Sequence, residues 1–195
     1  GLIMLIHEKG PFVRGSILLI SFLVLFCVLL TPIMRDEKGN HLTGLQYADN
    51  VFNELSKGSS YFIPSVREHV KTVEKVNVKV TVTMKKAELA ETAVQVLTKA
   101  GMTASADGAK VSYEGNLAAM LNAATTDADS LYHNDAATVS ARYDGTHALK
   151  AAAAWWYVLS PSIKELQKQR LIAEAQVVDQ VLRRAVEPGN NFYSV

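Results

Sequence analysis

The sequence predicts an α+β protein: an N-terminal single transmembrane helix is followed by a small two-layer β-α-β-β-α domain with a C-terminal helical hairpin. Three patterns indicate this fold: an uncharged apolar run at 15–34, alternating valines at 75–84, and apolar residues at helical spacing through the last third. At 195 residues the chain has room for one ordinary domain plus an anchor. We therefore expect a short N-terminal segment, an anchor helix, a juxtamembrane linker and one soluble domain (1–14, 15–34, 35–44 and 45–195).

The run from Gly15 to Met34 is long enough to cross a bilayer, since a helix rises about 1.5 Å per residue and the run therefore spans about 30 Å. Arg14 and Arg35 would hold its two ends in the polar headgroup layers. A cleaved secretory signal would be shorter and would be followed by an Ala-x-Ala pattern, which residues 31–35 lack. A buried core helix would need protein on every side. We therefore expect a retained anchor, with residues 15–34 in contact with the lipid bilayer.

Charge gives little guidance on orientation, because two basic residues precede the run and two follow it (Lys9, Arg14, Arg35 and Lys38). We favour a cytoplasmic N-terminus, since Asp36 and Glu37 offset the positive charge after the run. In a bacterium this orientation places the anchor in the inner membrane and residues 39–195 in the periplasm or outside the cell. Leu2–Ile6 is apolar but too short to cross. It either lies at the membrane interface or belongs to a longer native N-terminus, because the chain begins with Gly1 instead of Met.

Composition argues against several classes of protein. The 20 Lys and Arg against 19 Asp and Glu leave no surplus of positive charge of the kind that nucleic-acid binders direct at phosphates. Cys27 is the single cysteine and lies in the apolar run, which excludes a disulfide framework, a cysteine-based metal site and a Cys-x-x-Cys-His haem attachment in the soluble part. We expect no nucleic-acid partner.

The first half of the soluble region is predicted to contain two helices and a β-α-β-β-α module. Apolar residues at three- and four-residue steps predict a helix over 43–57, with Thr43 as its N-cap and Gly58 as its end, and a second helix is expected to start near Pro64. The module spans 75–132. Its expected parts are a strand with buried even-numbered positions, a helix, two strands joined by an Asp107-Gly108 turn, and a helix capped by Asn116 (75–84, 87–100, 102–106, 109–113 and 116–132).

The region 135–187 is predicted to be helical, with a break at Asp144-Gly145. We expect Pro161 to mark a turn between two helices. Ser162, with Glu165 three residues later, forms the capping-box pattern that would start the last helix, and Pro188-Gly189 would end it.

Residue types that carry chemistry occur without the spacing that the chemistry needs. No two of the five histidines have the i, i+4 spacing of a helical metal site (His7, His41, His69, His133 and His147). The cluster of Asp127, Asp129, His133 and Asp135 is better explained as a polar helix junction than as a catalytic or cation site. Phosphate-binding glycine loops and the Gly-x-Ser-x-Gly elbow are absent from the sequence. We therefore predict no catalytic, cofactor-binding or metal-binding residue.

Trp155, Trp156 and Tyr157 are the most unusual local feature, because adjacent helical residues diverge by about 100° and cannot all face one core. One interpretation is that one tryptophan packs inside while the other covers the helical hairpin. The other is a contact surface for a partner or for lipid headgroups. We predict that these three residues, with Val177 and Val181 on the closing helix, form the main partner surface.

These patterns favour a non-catalytic, membrane-anchored interaction or assembly subunit of a bacterial envelope complex, which binds a protein partner or forms a homo-oligomer. A membrane-tethered small-ligand-binding or sensor domain is the alternative, and an envelope enzyme is the third candidate. An enclosed apolar cavity in the structure would favour ligand binding, whereas an exposed apolar patch would favour assembly.

Overall fold

The computed structural model describes residues 9–36 and 38–194, and the chain divides into two compact units, one up to Ser56 and one from Lys57 onward. The described part is a mixed helix and sheet structure with two small antiparallel sheets. The predicted mixed class is therefore confirmed. The expectation for Leu2–Ile6 lies outside the described residues.

Helix α1 (Lys9–Leu30) is long and apolar enough to cross a membrane, and none of its residues is buried by protein. It ends at Leu30, so the prediction that the helix continues to Met34 is wrong. Pro32 disfavours helical backbone at the residue before it and cannot donate a helical hydrogen bond. The Thr31 hydroxyl donates to the carbonyl of Cys27 (2.8 Å) and so satisfies one of the last free carbonyls of the helix.

The predicted linker is a small hairpin that leads into a second helix. Strand β1 (Met34–Arg35) pairs with strand β2 (His41–Leu42), and the Asp36 carboxylate accepts from the backbone N–H of Asn40 (2.7 Å) across the loop. Helix α2 (Gly44–Ser59) follows. Its predicted cap is confirmed: the Thr43 hydroxyl accepts from the Gln46 N–H (3.2 Å), and the Gln46 side chain accepts from the Thr43 N–H (2.9 Å).

The second unit begins with helices and a three-stranded sheet whose strand order is β3-β5-β4. Its elements up to residue 132 are α3 (Ile63–Lys71), β3 (Asn77–Thr83), a 3-10 turn (Ala87–Leu89), α4 (Ala90–Lys99), β4 (Thr103–Asp107), β5 (Lys110–Asn116) and α5 (Leu117–Tyr132). Val78, Val80 and Val82 are buried while Lys79 and Thr81 are exposed, so the predicted alternation in β3 is confirmed. The predicted Asn116 cap is also confirmed, since its side chain accepts from the Ala119 N–H (2.9 Å).

The turn between β4 and β5 differs from the prediction by one residue. Asp107 pairs with Lys110, so the two turn residues are Gly108 and Ala109 instead of Asp107 and Gly108. Gly108 has a φ of +58°, a conformation that suits glycine, and it occupies the first turn position. In this register Val111 pairs with Ala106 and Tyr113 with Ala104, and both Val111 and Tyr113 are in the core.

The last third consists of packed helices: α6 (Ala136–Arg142), α7 (Ala148–Lys168), α8 (Ile172–Val181), a π-helical turn (Leu182–Val186) and α9 (Glu187–Asn191). The predicted turn at Pro161 and capping box at Ser162 are wrong, because α7 continues through both residues. Ser162 is buried in mid-helix, where it donates to the Val158 carbonyl (2.6 Å) and accepts from the Tyr113 hydroxyl (2.7 Å). Burial of this face outweighs the hydrogen bond that Pro161 cannot make, which costs about 3 kcal/mol in an exposed helix.

The chain turns at residues 169–171 instead, where Arg170 has a φ of +63°. The prediction that Pro188-Gly189 ends the last helix is also wrong, since α9 includes both residues. Gly189 is buried against α5, and a Cβ at this position would lie 2.6 Å from the carbonyl oxygen of Ala128. The absence of a side chain therefore lets the C-terminal helix pack directly on the backbone of α5.

Candidate functional site

The five residues of the predicted partner surface separate into two groups. Trp155 is 1% exposed, and Val177 and Val181 are also buried, so these three residues belong to the core of the chain itself. The prediction that they form part of the partner surface is wrong. Trp156 and Tyr157 are half-buried. The difference follows from the helix, because successive side chains point about 100° apart and α7 presents only one face to the core. The candidate site is therefore the Trp156–Tyr157 surface.

Trp155 lies inside because its indole N–H meets a buried acceptor. It donates to Asp127 of α5 (2.8 Å), whose carboxylate is 2% exposed and also accepts from Arg142 and from the Tyr143 hydroxyl. Burial, with a further contribution from the Asp127 charge, raises the pKa of Tyr143 well above its ordinary value and keeps the phenol neutral. This network is structural, since its hydrogen bonds connect Asp127 of α5 to Arg142 at the end of α6, to the adjacent Tyr143 and to Trp155 of α7.

Two clefts border the Trp156–Tyr157 surface. One has a volume of about 270 Å³ and the other about 380 Å³, and both are lined by the two aromatic residues. The smaller cleft is completed by Ala152, Val186, Glu187, Asn190 and Asn191. The larger cleft is completed by Thr83, Lys85, Ser160, Pro161 and Lys164. The aromatic pair thus forms a ridge between two depressions, a shape that a partner side chain can enter from either side.

The two clefts differ in charge. Lys85 and Lys164 line the larger one, and the Lys86 ammonium lies 5.2 Å from the centroid of the Tyr157 ring, within range of a cation–π contact. The smaller cleft carries Glu187 together with two side-chain amides. The larger cleft is therefore suited to an acidic group, and the smaller one to a neutral hydrogen-bonding or basic group.

Irregular backbone lies beside both clefts. Pro161 has no N–H to donate to the carbonyl of Tyr157, four residues earlier in α7. The π-helical turn ends at Val186, which lines the smaller cleft. Single π-turns occur frequently at functional sites. Backbone irregularity on two elements thus lies next to the half-buried aromatic pair.

The predicted junction of Asp127, Asp129, His133 and Asp135 does not converge on one point. Asp129 accepts from the Tyr61 hydroxyl (2.9 Å) and lies 3.2 Å from the His133 ring, while Asp135 caps α6 through the N–H of Thr138 (3.1 Å). Among residues 9–36 and 38–194, no group of three His, Cys, Asp or Glu side chains could hold a metal ion. Asp129 and His133 therefore contact each other, while Asp127 and Asp135 each have different partners.

Sequence reasoning missed the basic residues around the aromatic pair and the role of Asp127. Lys164 lies seven positions after Tyr157, which is about two helical turns and therefore the same face of α7. This spacing is a sequence signal from which Lys164 could have been predicted to lie on the same face as Tyr157. Asp127 lies among the apolar positions of α5, where a carboxylate needs a buried donor. The π-helical turn has no sequence signal that we recognise.

The chain matches no protein-family model, and comparisons with curated proteins and with solved structures gave no significant match.

Proposed function

We propose that this chain is a membrane-anchored, non-catalytic interaction subunit of a bacterial envelope complex, which binds a protein partner through the Trp156–Tyr157 surface. Helix α1 is the inner-membrane anchor, and the unit from Lys57 onward is on the periplasmic or outer side. The observation that carries the proposal is the half-buried aromatic pair between two clefts of different charge. Tryptophan and tyrosine dominate the energetics of protein interfaces because they bury a large rigid surface at a small entropic cost.

The chemistry of the clefts defines the partner further. An acidic side chain entering the larger cleft would meet Lys85 and Lys164. An amide or hydroxyl entering the smaller cleft would meet Asn190 and Asn191. We therefore expect a partner segment with an acidic residue next to a residue that covers the aromatic ridge.

Site-specific photo-crosslinking tests the partner site. A photo-reactive phenylalanine analogue at Trp156 should give a discrete crosslinked product in native membranes, whereas the same analogue at Lys79, on the exposed face of β3, should not. Adding Lys164→Glu to the Trp156 probe should reduce the yield several-fold, because the larger cleft then repels an acidic group. A probe at Trp156 that gives no product, or the same products as the Lys79 probe, would contradict the proposed site.

Anchoring is tested separately by washing membranes with alkaline carbonate. The full chain should stay in the membrane pellet, because α1 presents only apolar or small side chains along most of its length and none of them is covered by protein. Release of a shortened chain that begins near Arg35 would instead identify α1 as a cleaved signal.

A small-ligand-binding domain is the second candidate, and one cleft favours it. This cleft has a volume of about 330 Å³ and is lined by Lys99, Asn122 and Arg142, which suit a small carboxylate or phosphate. Asp127 also lines it, and its carboxylate pairs with Arg142. The aromatic pair Trp156–Tyr157, which borders two clefts, favours the assembly role over this one. Raised thermal stability in phosphate or succinate that Lys99→Ala abolishes would support the ligand-binding alternative.

A further inference from the structure

Helix α2 divides into an apolar half and a polar half. At 100° per residue, its apolar side chains fall within an arc of about 160°, and its polar and charged side chains, apart from Ser59 at the end of the helix, fill the opposite half. The apolar half consists of Leu45, Tyr47, Ala48, Val51, Phe52 and Leu55. The five large residues of this set are exposed, with Phe52 at 68% and Leu55 at 64%. A complete helical face that would normally be buried is thus left open to the surroundings.

The start of α2 lies beside the last turn of α1. Gly44 is buried, and a Cβ on it would lie 2.7 Å from Cδ2 and 3.3 Å from Cα of Leu29. The chain returns to this point through the β1–β2 hairpin, in which Met34 pairs with Leu42. The His41 ring lies 3.2 Å from the carbonyl oxygen of Pro32 and adds a contact to the same return path. Residues 31–43 therefore bring α2 back to the end of the apolar run.

This contact fixes the depth of the first residue of α2 if α1 crosses the membrane, so the inference rests on the proposed anchor. Leu29 is one residue from the end of α1, which places the first residue of α2 at the membrane surface. We propose that α2 lies in the membrane surface, with its apolar half in the boundary between lipid headgroups and acyl chains. The occupant of the open face is the lipid of the bilayer that α1 crosses.

The charges of α2 indicate which lipid it prefers. Its polar half carries Asp49, Glu54 and Lys57, a set with one more acid than base. Soluble amphipathic helices use Lys and Arg to reach anionic membranes. Helix α2 needs no such attraction, because α1 already holds it at the surface at high effective concentration. Binding therefore depends on apolar burial and is as strong on zwitterionic lipid as on anionic lipid.

A second copy of α2 is the rival occupant. Leu45, Ala48, Phe52 and Leu55 follow the three- and four-residue spacing of a coiled-coil seam. That pattern covers only about two heptads, and coiled coils need longer repeats to be recognised from sequence. The contact of Gly44 with Leu29 and the width of the apolar half favour lipid, because a coiled-coil seam is a narrower stripe.

Fluorescent probes in the full chain, reconstituted in phosphatidylcholine vesicles, test the inference. Cys27 is replaced by Ser, and one cysteine is introduced at Phe52 in the apolar half or, as the matched control, at the adjacent Asn53 in the polar half. Each is labelled with an environment-sensitive dye, and quenching by lipids that carry a spin label near the headgroup is measured. We expect several-fold stronger quenching at position 52 than at position 53, unchanged when a third of the lipid is anionic.

Three outcomes separate the hypotheses. Equal quenching at positions 52 and 53 would overturn the inference. A shielded probe at position 52 that is not quenched by lipid, with rapid disulfide formation between unlabelled F52C chains, would assign the face to a second copy and would also overturn it. A dye at Ile20→Cys, near the middle of α1 in the same Cys27→Ser chain, reports the anchor independently: if spin labels deep in the bilayer fail to quench it, the proposed membrane span fails as well.

Discussion

Replacing Asp127 by Ala tests whether one buried carboxylate holds α5, α6 and α7 together. Asp127 is 2% exposed and accepts hydrogen bonds from Arg142, from the Tyr143 hydroxyl and from the Trp155 indole N–H (2.8 Å). The substitution leaves two buried neutral donors and one cation without their acceptor. The shorter alanine side chain offers no replacement for any of the three contacts.

The expected loss of stability follows from these contacts. An unsatisfied buried donor costs about 1–3 kcal/mol, so Tyr143 and Trp155 together account for about 2–6 kcal/mol. The Arg142 side chain is 32% exposed and can turn toward water, which makes its contribution smaller. We expect Asp127→Ala to lower the free energy of unfolding by about 3–5 kcal/mol. Asp127→Asn, which keeps one carbonyl acceptor, should lose about half as much.

Urea unfolding of the full chain in detergent micelles, followed by tryptophan fluorescence, measures this loss. Asp135→Ala is the matched control, because it removes an exposed helix cap and should cost only about 1 kcal/mol. Adding Tyr143→Phe to Asp127→Ala should cost much less than Tyr143→Phe alone, since the hydroxyl has already lost its acceptor. If Asp127→Ala costs no more than Asp135→Ala, the network does not hold the helices together and the reasoning is refuted.

Three further predictions concern packing, strand register and ionisation. Gly189→Ala should lower the free energy of unfolding by about 1–3 kcal/mol, because the new Cβ would meet the backbone of α5. Gly58→Ala should raise the free energy of unfolding by about 0.5–1 kcal/mol, because a Cβ there meets no other atom within 4 Å. Urea unfolding compares the two variants. Val80→Asp should cost more than about 3 kcal/mol and Lys79→Asp less than about 1 kcal/mol in the same assay, and the reverse order would mean a wrong strand register. Burial raises the pKa of Tyr113 above its ordinary value near 10, so the phenol loses its proton at a lower pH in the unfolded chain than in the folded one. The free energy of unfolding should therefore be constant below about pH 10 and fall above it. Tyr113→Phe should make that fall smaller in unfolding curves measured between about pH 8 and 11.

The clearest predictions came from patterns whose physical cause is local. The alternation in β3 has a period of two and was found at once, because a strand with one buried face leaves the same pattern wherever it packs. The Thr43 and Asn116 caps depend on a side chain and a backbone N–H only three residues away. The limits of α1 were less accurate, since apolar composition continues past Pro32 although the helix does not.

Errors arose where a local signal met a stronger tertiary contact. Pro161 and Ser162 form a credible helix boundary in isolation, yet the Tyr113 hydroxyl and the buried face of α7 keep the helix intact there. The turn lies one residue later than predicted, because Asp107 stays paired with Lys110 and Gly108 takes the positive φ at the first turn position. Gly189 reads as a helix stop, but its lack of a side chain serves close packing on α5.

By itself the sequence determined the apolar run, the mixed helix and sheet class, the alternating strand and the caps, because each depends on residues near one another in the chain. It also identified the Trp155–Tyr157 segment as unusual. Only the tertiary structure decided that Trp155 is core and that Trp156 and Tyr157 border two clefts, since this depends on which face of α7 meets Asp127. The contact between the start of α2 and the end of α1 likewise could not be predicted from the sequence, because no local pattern indicates that Gly44 packs against Leu29. Burial is a property of neighbours brought together from distant parts of the chain, and a periodic pattern reports the presence of a buried face without identifying what covers it.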